Sequence, residues 1–395
     1  MSSTALLLLL AACCGADPQP VYRSELVFPL HDKHNHAPGV AELPDGELFV
    51  SWYRGSGERT ADDVAVYGAR LKPGATEWSS DFLLVDTPGF PDCNTCLMCD
   101  KDGQLWLFWP IILANSLESC ITHYLVAAHP EGEGCPTWDV NGEILMKPAD
   151  FKEAGLKHLD ELIAKLPQPL TERQQQVVAI ARERLGDKLL QRLGWQPRCK
   201  PTVLPSGRIL LPLYSDTYSF SIMAISDDDG KNWYASAPIF GYGGIQPAVL
   251  RKKDGTLVAY MRENGPFEHI KISESKDDGL TWGEVYLSEL ENPGAGLDGL
   301  VLASGRWLLI YNDAKEGRNS LAVSLSDDEG QTWTHTRHLE KHDSGSYHYP
   351  AIIQGRDGTI HAVYSYFVRD AGNGQEGKSM KHAAFNEAWI EAGNQ

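Results

Sequence analysis

Six short stretches of the sequence place polar side chains a few residues ahead of a glycine turn. Arginine can grip a carboxylate through two parallel hydrogen bonds, and lysine adds a compact positive charge. Histidine transfers protons, and tyrosine, with a free pKa of about 10, becomes a nucleophile when cations or a base activate it. Residues of these types in one register predict a shared polar pocket. They are His36, Asn94, Arg198 with Lys200, Gln246, Asp298, and His348 with Tyr349.

The glycine turns that follow these residues recur along the chain, and each precedes a strand of alternating apolar residues. They run from PDGELFVSW at residue 44 to RDGTIHAVYS at residue 356, mostly at intervals of about fifty residues. Asp-Gly and Ser-Gly supply the positive φ that tight hairpins require. Six repeats of a few short strands predict an all-β fold, a six-bladed β-propeller. The innermost strand of each blade would then begin at the mouth of the central channel.

A second repeat overlays the first. SDDDGKNW at residue 226, SKDDGLTW at 275 and SDDEGQTW at 326 share the pattern Ser-x-Asp-x-Gly-x-x-Trp. The aspartate can accept hydrogen bonds from backbone N–H groups of the turn, and the tryptophan can pack between sheets. We interpret these aspartate boxes as structural elements that lie outside the active site.

One interval between turns, from Gly103 to Gly207, is about twice as long as the others. Within it the apolar residues adopt helical spacing, and Thr171 with Gln174 forms a capping-box pattern. We therefore predict a helical hairpin at residues 148–196, inserted within a propeller that spans residues 21–395.

The first 20 residues resemble a signal peptide, with a short apolar run followed by small residues. Leu10-Ala11-Ala12-Cys13 also resembles a bacterial lipobox, in which Cys13 would carry a lipid. We expect an exported protein that is periplasmic, extracellular or a cell-surface lipoprotein. It would contact the membrane only through that N-terminal anchor.

Charge and cysteine content limit the partners. A net charge of −18 repels nucleic acid, and we expect a monomer. If the substrate is itself anionic, a local basic pocket must override this charge. Cys93, Cys96 and Cys99 have a metal-like spacing, but the sequence offers no second cluster to complete a zinc site. Disulfides or buried thiols are the favoured interpretation, and no cofactor or metal is predicted.

The boxes and the site residues together resemble the sialidase superfamily, whose members are six-bladed propellers. The resemblance covers most of the chain after Val21, apart from the helical insertion. In that family one of the three carboxylate-binding arginines lies at the end of a strand like LVAYMREN, which implies Arg262 here. Another lies ahead of an aspartate box, in a segment like EGRNSLAVSLSDDEG, which implies Arg318. The catalytic tyrosine opens the last inner strand, which implies Tyr349.

The family's acid/base aspartate lies in the loop after the first hairpin. The matching segment is YRGSGERTADDVAVYGARL, and it implies Asp62, with Asp63 and Glu58 as alternatives. Arg54 in the same segment is a further candidate for substrate binding, as are Asn94, Asp298 and His348.

Two positions depart from the family pattern. The first-strand arginine of the family is replaced by His36, and the carboxylate that activates the tyrosine is replaced by Gln246. Because the first-strand arginine is replaced, Arg198 or Lys200 would have to supply the missing positive charge. Because an amide cannot accept the phenolic proton, His36 or His348 would have to supply the missing base.

The resemblance implies an acidic oligosaccharide or polysaccharide as the partner, and three functions remain open at this stage. The first is an exo-acting, sialidase-like glycosidase on a terminal sialic or uronic acid, with Tyr349 as nucleophile and Asp62 as acid/base. The second is a polysaccharide lyase on uronic acids, in which His36 and Tyr349 act as base and acid. The third is a carbohydrate-binding propeller without turnover.

Overall fold

The structure is a computed structural model that describes residues 19–369 and 376–393. In these residues 25 strands form six antiparallel sheets, so the predicted six-bladed β-propeller is confirmed. The lipobox at Cys13, and the signal peptide apart from its last two residues, lie outside the described residues. Among the described helices none is long and apolar enough to cross a membrane.

The strands follow the chain from blade to blade. Strand β1 (Tyr22–Leu26) comes first and belongs to the last blade. Blade 1 contains β2 (His34–Glu42), β3 (Leu48–Gly55), β4 (Ala65–Leu71) and β5 (Phe82–Val85). Blade 2 contains β6 (Cys96–Cys99), β7 (Leu105–Ile112), β8 (Cys120–Ala127) and β9 (Val140–Ile144). Blade 3 contains β10 (Gln196–Pro197), β11 (Thr202–Val203), β12 (Ile209–Ser215), β13 (Phe220–Ser226) and β14 (Tyr234–Ala235).

The second half of the chain repeats this pattern. Blade 4 contains β15 (Gly244–Arg251), β16 (Leu257–Glu263), β17 (His269–Ser275) and β18 (Tyr286–Glu291). Blade 5 contains β19 (Asp298–Val301), β20 (Trp307–Tyr311), β21 (Ser320–Ser326) and β22 (His335–Lys341). Blade 6 contains β23 (Gly345–Gln354), β24 (Ile360–Val368) and β25 (Gly377–Phe385).

Strand β1 closes the ring. It pairs antiparallel with β25, from Tyr22 opposite Phe385 to Leu26 opposite Lys381, and so becomes the outer strand of blade 6. Pairing the two ends of the chain in one sheet covers an edge that would otherwise be exposed.

The aspartate boxes have the predicted structural role. In the first, Asp228 accepts a hydrogen bond from Asn232 N at 2.9 Å, and Ser226 Oγ accepts one from Gly230 N at 2.8 Å. The other two boxes repeat both bonds. Gly230 has φ +77°, and a Cβ there would lie 2.3 Å from the Trp106 ring, so only glycine fits. Trp233 packs against Phe108 of blade 2, which joins neighbouring blades.

Three helices lie between β9 and β10, within the predicted insertion. They are α1 (Phe151–Ala164), α2 (Glu172–Gly186) and α3 (Lys188–Arg192), and a short α4 (Glu387–Glu391) ends the described chain. Thr171 and Gln174 form the predicted capping box at the start of α2. Phe151 and Leu185 are buried with Trp195, which anchors the insertion to blades 2 and 3.

The cysteines do not form disulfides in the described part of the chain. All six there are free thiols; Cys93, Cys96, Cys120 and Cys199 are buried, and Cys135 is exposed. The buried-thiol alternative therefore describes most of them.

Candidate active site

Three inner strands carry the same bulge at their entrance to the channel. The bulge lies at the residue before a proline, and this residue is Ala37, Gln246 or Tyr349. The φ angles are positive, at 51°, 57° and 47° in that order, and the strand pairing shifts register at each position. Positive φ is uncommon outside glycine, and a bulge re-aims the side chain it carries. Gln246 and Tyr349 consequently line a cavity of ≈570 Å³ at the channel mouth.

Asn94 occupies the corresponding place in blade 2, with φ 41°. Its amide donates to Gln196 Oε1 at 2.8 Å and to the Tyr214 hydroxyl at 3.2 Å. Asn94 and Tyr214 line the cavity. This sequence-predicted residue therefore reaches the pocket but is already bonded to its neighbours.

Arg262 and Tyr349 meet in the cavity. Arg262 Nη1 donates to the phenolic oxygen at 3.0 Å and lies 3.5 Å from Gln246 Oε1, while Arg262 Nε is buried without a hydrogen-bond partner. Burial alone would raise the pKa of Tyr349, but the charges of Arg262 and Arg318 and a bond from Gln246 bring it below its usual value. Cations thus favour the phenolate here without a carboxylate base.

Arg318 stands behind the Tyr349 ring, 5.7 Å from its centroid. Its Nη1 donates to His348 Nδ1 at 2.7 Å, and its Nη2 donates to the Gly294 carbonyl at 2.8 Å. His348 Nε2 then donates to Ser346 Oγ at 2.7 Å. Burial and the Arg318 charge lower the pKa of His348 to about 3, so this histidine is neutral and orients the arginine.

His36 packs against Tyr349, with ring centroids 4.6 Å apart. It is 4% exposed, and its Nδ1 lies 2.9 Å from Ser365 Oγ. Burial, and then the nearby histidines and arginines, lower its pKa well below the usual value. Ala37, not His36, is the register equivalent of Tyr349, so the histidine lies behind the tyrosine.

The carboxylates near the cavity differ from the one favoured by the family pattern. Asp62 is exposed, lies outside the cavity wall and accepts a bond from Asn115 at 2.8 Å. The alternative Glu58 lines the cavity, as do Glu118 and Asp216. Asp216 was missed from the sequence, although it directly follows β12 just as Arg262 ends β16.

The electrostatics of Glu58 and Asp216 are opposite. Contact with His34, whose Nε2 lies 3.3 Å from Glu58 Oε1, lowers the pKa of Glu58, and Tyr53 donates to this carboxylate at 3.0 Å. Desolvation raises the pKa of Asp216, against the lowering influence of Arg262 and Arg59. Asp216 is therefore the cavity carboxyl that keeps its proton more readily, while Glu58 is ionised.

Charge is distributed unevenly around the cavity. Acidic residues come from the loops after β3, β7 and β12, namely Glu58, Glu118 and Asp216. Arg262 lines the cavity from blade 4 and Arg59 from the loop after β3, while Arg318 of blade 5 lies behind the Tyr349 ring. A ligand whose carboxylate meets Arg262 and whose hydroxyl groups meet the acidic residues matches this arrangement.

Two predicted cations lie away from the cavity. Arg198, 2% exposed, donates to the backbone carbonyls of Pro38, Tyr349 and Pro350, beneath the bulges of blades 1 and 6. Lys200 donates to both carboxylate oxygens of Asp298 at 2.8 Å. Asp298 also accepts from Ile352 N at 3.0 Å, so this pair links inner strands.

Arg54 is also remote from the cavity. It donates to Asn35 at 2.7 Å and to Asp81, and its guanidinium lies over the rings of Phe28 and Tyr67. The structure thus brings together Tyr349, Arg262, Arg318, Gln246, Asn94 and the predicted alternative Glu58, and it adds Asp216.

Comparisons with known proteins agree with the six-bladed propeller and its aspartate boxes. The BNR repeat-like domain model matches residues 195–362. The anhydrosialidase of Macrobdella decora is 26% identical over 182 residues, which is 41% of this chain but only 24% of that protein. The match to the repeat model thus covers less than half of this chain, and the anhydrosialidase is a distant relative.

Two solved structures share this fold. A protein of unknown function from Dyadobacter fermentans has a TM-score of 0.68 at 16% identity, over 92% of this chain and 99% of that one. A sialidase of Streptococcus pneumoniae has a TM-score of 0.67 at 12% identity, over 93% of this chain and 71% of that one.

Proposed function

We propose that this protein is an exo-acting glycosidase that removes a terminal acidic sugar, of the sialic or uronic acid type, from a glycan. The observation that carries the proposal is the bond of 3.0 Å from Arg262 to Tyr349 in the cavity, with Arg318 behind the Tyr349 ring. It puts a cation suited to a sugar carboxylate beside a phenol that the same cation activates.

In this proposal the phenolate of Tyr349 attacks the anomeric carbon while the bond to the departing glycan oxygen breaks. Asp216 donates its proton to that oxygen, since its raised pKa favours the protonated form. A water molecule then attacks the anomeric carbon and gives a proton to Asp216. The bond between the sugar and Tyr349 breaks, and Tyr349 leaves as the phenolate. The net reaction consumes one water for each sugar released.

The test is incubation of the purified chain with sialylated and uronic-acid glycans, with identification of the released sugar by mass. Because the relative from Macrobdella decora is named an anhydrosialidase, the assay should distinguish the free sugar released by hydrolysis from its anhydro form. Tyr349→Phe serves as the inactive control. Binding of acidic glycans without any released product would favour the non-catalytic alternative.

One observation favours a second candidate, a uronic-acid lyase. Gln246 stands where the sialidase pattern has a carboxylate that activates the tyrosine as a nucleophile, and its amide cannot take a proton. In a lyase, the Tyr349 phenolate would instead remove the proton next to the sugar carboxylate. A carbon–carbon double bond then forms as the bond to the departing glycan oxygen breaks, and Asp216 would give that oxygen its proton. An unsaturated, ultraviolet-absorbing product from uronic-acid glycans would identify this chemistry.

A further inference from the structure

A compact group of two histidines and a glutamate lies beside the cavity, and of the three only the glutamate lines it. Donor atoms of His34, His36 and Glu58 all lie within 4.8 Å of one another. The two histidines are two residues apart on β2, so they share one face of the strand. Glu58 reaches them from the loop after β3.

The donor atoms have the spacing that a shared metal ion requires. His34 Nε2 lies 3.3 Å and His36 Nε2 3.9 Å from Glu58 Oε1. Ligands about 2.1 Å from a metal ion, at angles between octahedral and tetrahedral, lie about 3.0–3.5 Å apart. Small side-chain rotations would bring all three atoms into this range.

His34 Nε2 provides an independent observation. This nitrogen is buried and makes no hydrogen bond, although Glu58 Oε1 lies 3.3 Å away. Leaving a buried polar nitrogen unpaired costs free energy, which a bound cation would recover.

Neighbouring groups hold the three side chains in place. His36 Nδ1 is bonded to Ser365 Oγ at 2.9 Å, which leaves Nε2 facing Glu58. Tyr53 donates to Glu58 Oε1 at 3.0 Å, and Arg59 binds the other carboxylate oxygen at 3.0 Å. Such outer contacts are typical of metal ligands, whose free ring nitrogen must be oriented.

We propose that His34, His36 and Glu58 bind a divalent transition-metal ion, such as Zn²⁺ or Co²⁺, beside the cavity. Two imidazoles and one carboxylate suit these ions, whereas Ca²⁺ and Mg²⁺ prefer all-oxygen sites. Three protein ligands leave a position open for water or a sugar oxygen, and Glu58 borders the cavity. The nearby positive charges of Arg318 and Arg198 will limit the affinity.

In the test, the metal-stripped, full-length chain is titrated with Co²⁺ and, separately, with Zn²⁺. Visible absorption measures the binding of Co²⁺, and calorimetry measures the binding of Zn²⁺. Every protein carries Cys135→Ser, because that exposed thiol could bind the same ions. His34→Ala is compared with a matched control, His129→Ala, which removes an exposed histidine from the β8–β9 loop. Glu58→Gln preserves side-chain size in case the alanine variant is misfolded, and thermal unfolding checks each protein.

The proposal predicts one bound ion per chain, and at least about tenfold weaker binding in His34→Ala and Glu58→Gln but not in His129→Ala. Absence of binding, or equal affinity in all variants, would overturn it. Since the readout is metal binding rather than turnover, either result leaves the proposed glycosidase activity to its own test.

Discussion

Arg262 and Tyr349 come from blades 4 and 6, yet the guanidinium donates to the phenolic oxygen at 3.0 Å. The bulge at Tyr349 makes this contact possible because it turns the side chain into the cavity. One arginine can therefore serve two purposes, attraction of an acidic ligand and stabilisation of the phenolate.

Replacing this arginine should weaken binding of acidic sugars selectively. A lost charge-assisted bond costs roughly 1.5–3 kcal/mol, so Arg262→Ala should raise the Kd of an acidic sugar by about 10- to 150-fold. Binding of the neutral analogue should change little. Calorimetry on both sugars provides the measurement, and Arg173→Ala, an exposed arginine of α2, is the control. Equal losses for both sugars would mean that Arg262 only maintains packing.

Asp216 should give the pH–rate profile its basic limb. As the proposed acid it must be protonated, so turnover should fall as pH rises through its raised pKa. Burial and Glu118 raise this pKa, while Arg262, Arg59 and the bond from Gln196 oppose the rise. Asp216→Asn should remove that limb and slow cleavage of a natural glycan by about 10²–10⁴-fold.

An aryl glycoside separates this role from a structural one. Its leaving group departs without a proton, so Asp216→Asn should slow its cleavage far less. If both substrates lose activity equally, Asp216 is not the acid.

Gln246→Glu should not simply improve the enzyme. Gln246 is 1% exposed, and its Oε1 lies 3.5 Å from Arg262 Nη1, so a carboxylate there would pair with the arginine. That pairing competes with the sugar carboxylate and offsets the cationic lowering of the Tyr349 pKa. We expect a higher KM for acidic substrates and no gain in kcat, measured from pH 5 to pH 9. A gain at every pH would instead support a general-base mechanism.

The pair formed by Lys200 and Asp298 should matter for stability rather than for binding. Asp298 is 2% exposed and accepts bonds from Lys200 and from Ile352 N, which Asp298→Ala would leave unpaired. Removing one partner of a buried ion pair costs roughly 3–5 kcal/mol of unfolding free energy. Urea unfolding checks this value against Asp32→Ala, a change at an exposed aspartate. A loss below about 1 kcal/mol would show that Lys200 finds another partner.

The repeats could be predicted from sequence because each depends on local chemistry. The glycine turns and the boxes encode their own hydrogen bonds, and Thr171 caps α2 as its pattern indicates. The closing strand β1 carries no such signal, since its partner β25 lies more than 350 residues away.

The arginines show why the site was harder to predict. Arg198 and Arg262 have the same chemistry, but Arg198 is taken up by backbone carbonyls at the bulges of Ala37 and Tyr349. Those carbonyls are free only because two residues adopt positive φ, which the sequence does not reveal. Likewise Asp216 comes from another blade than Asp62, and only the tertiary structure shows that Asp216 borders the cavity.

Tyr349→Phe examines the proposed role of the phenol in one step. The change removes only the hydroxyl from a half-buried ring, so the thermal midpoint should stay near that of the wild type. We predict that release of the acidic sugar falls to background while binding of that sugar persists, because Arg262 and Arg318 remain. Near-normal turnover by the folded variant would contradict the proposed mechanism and remove Tyr349 from the chemistry.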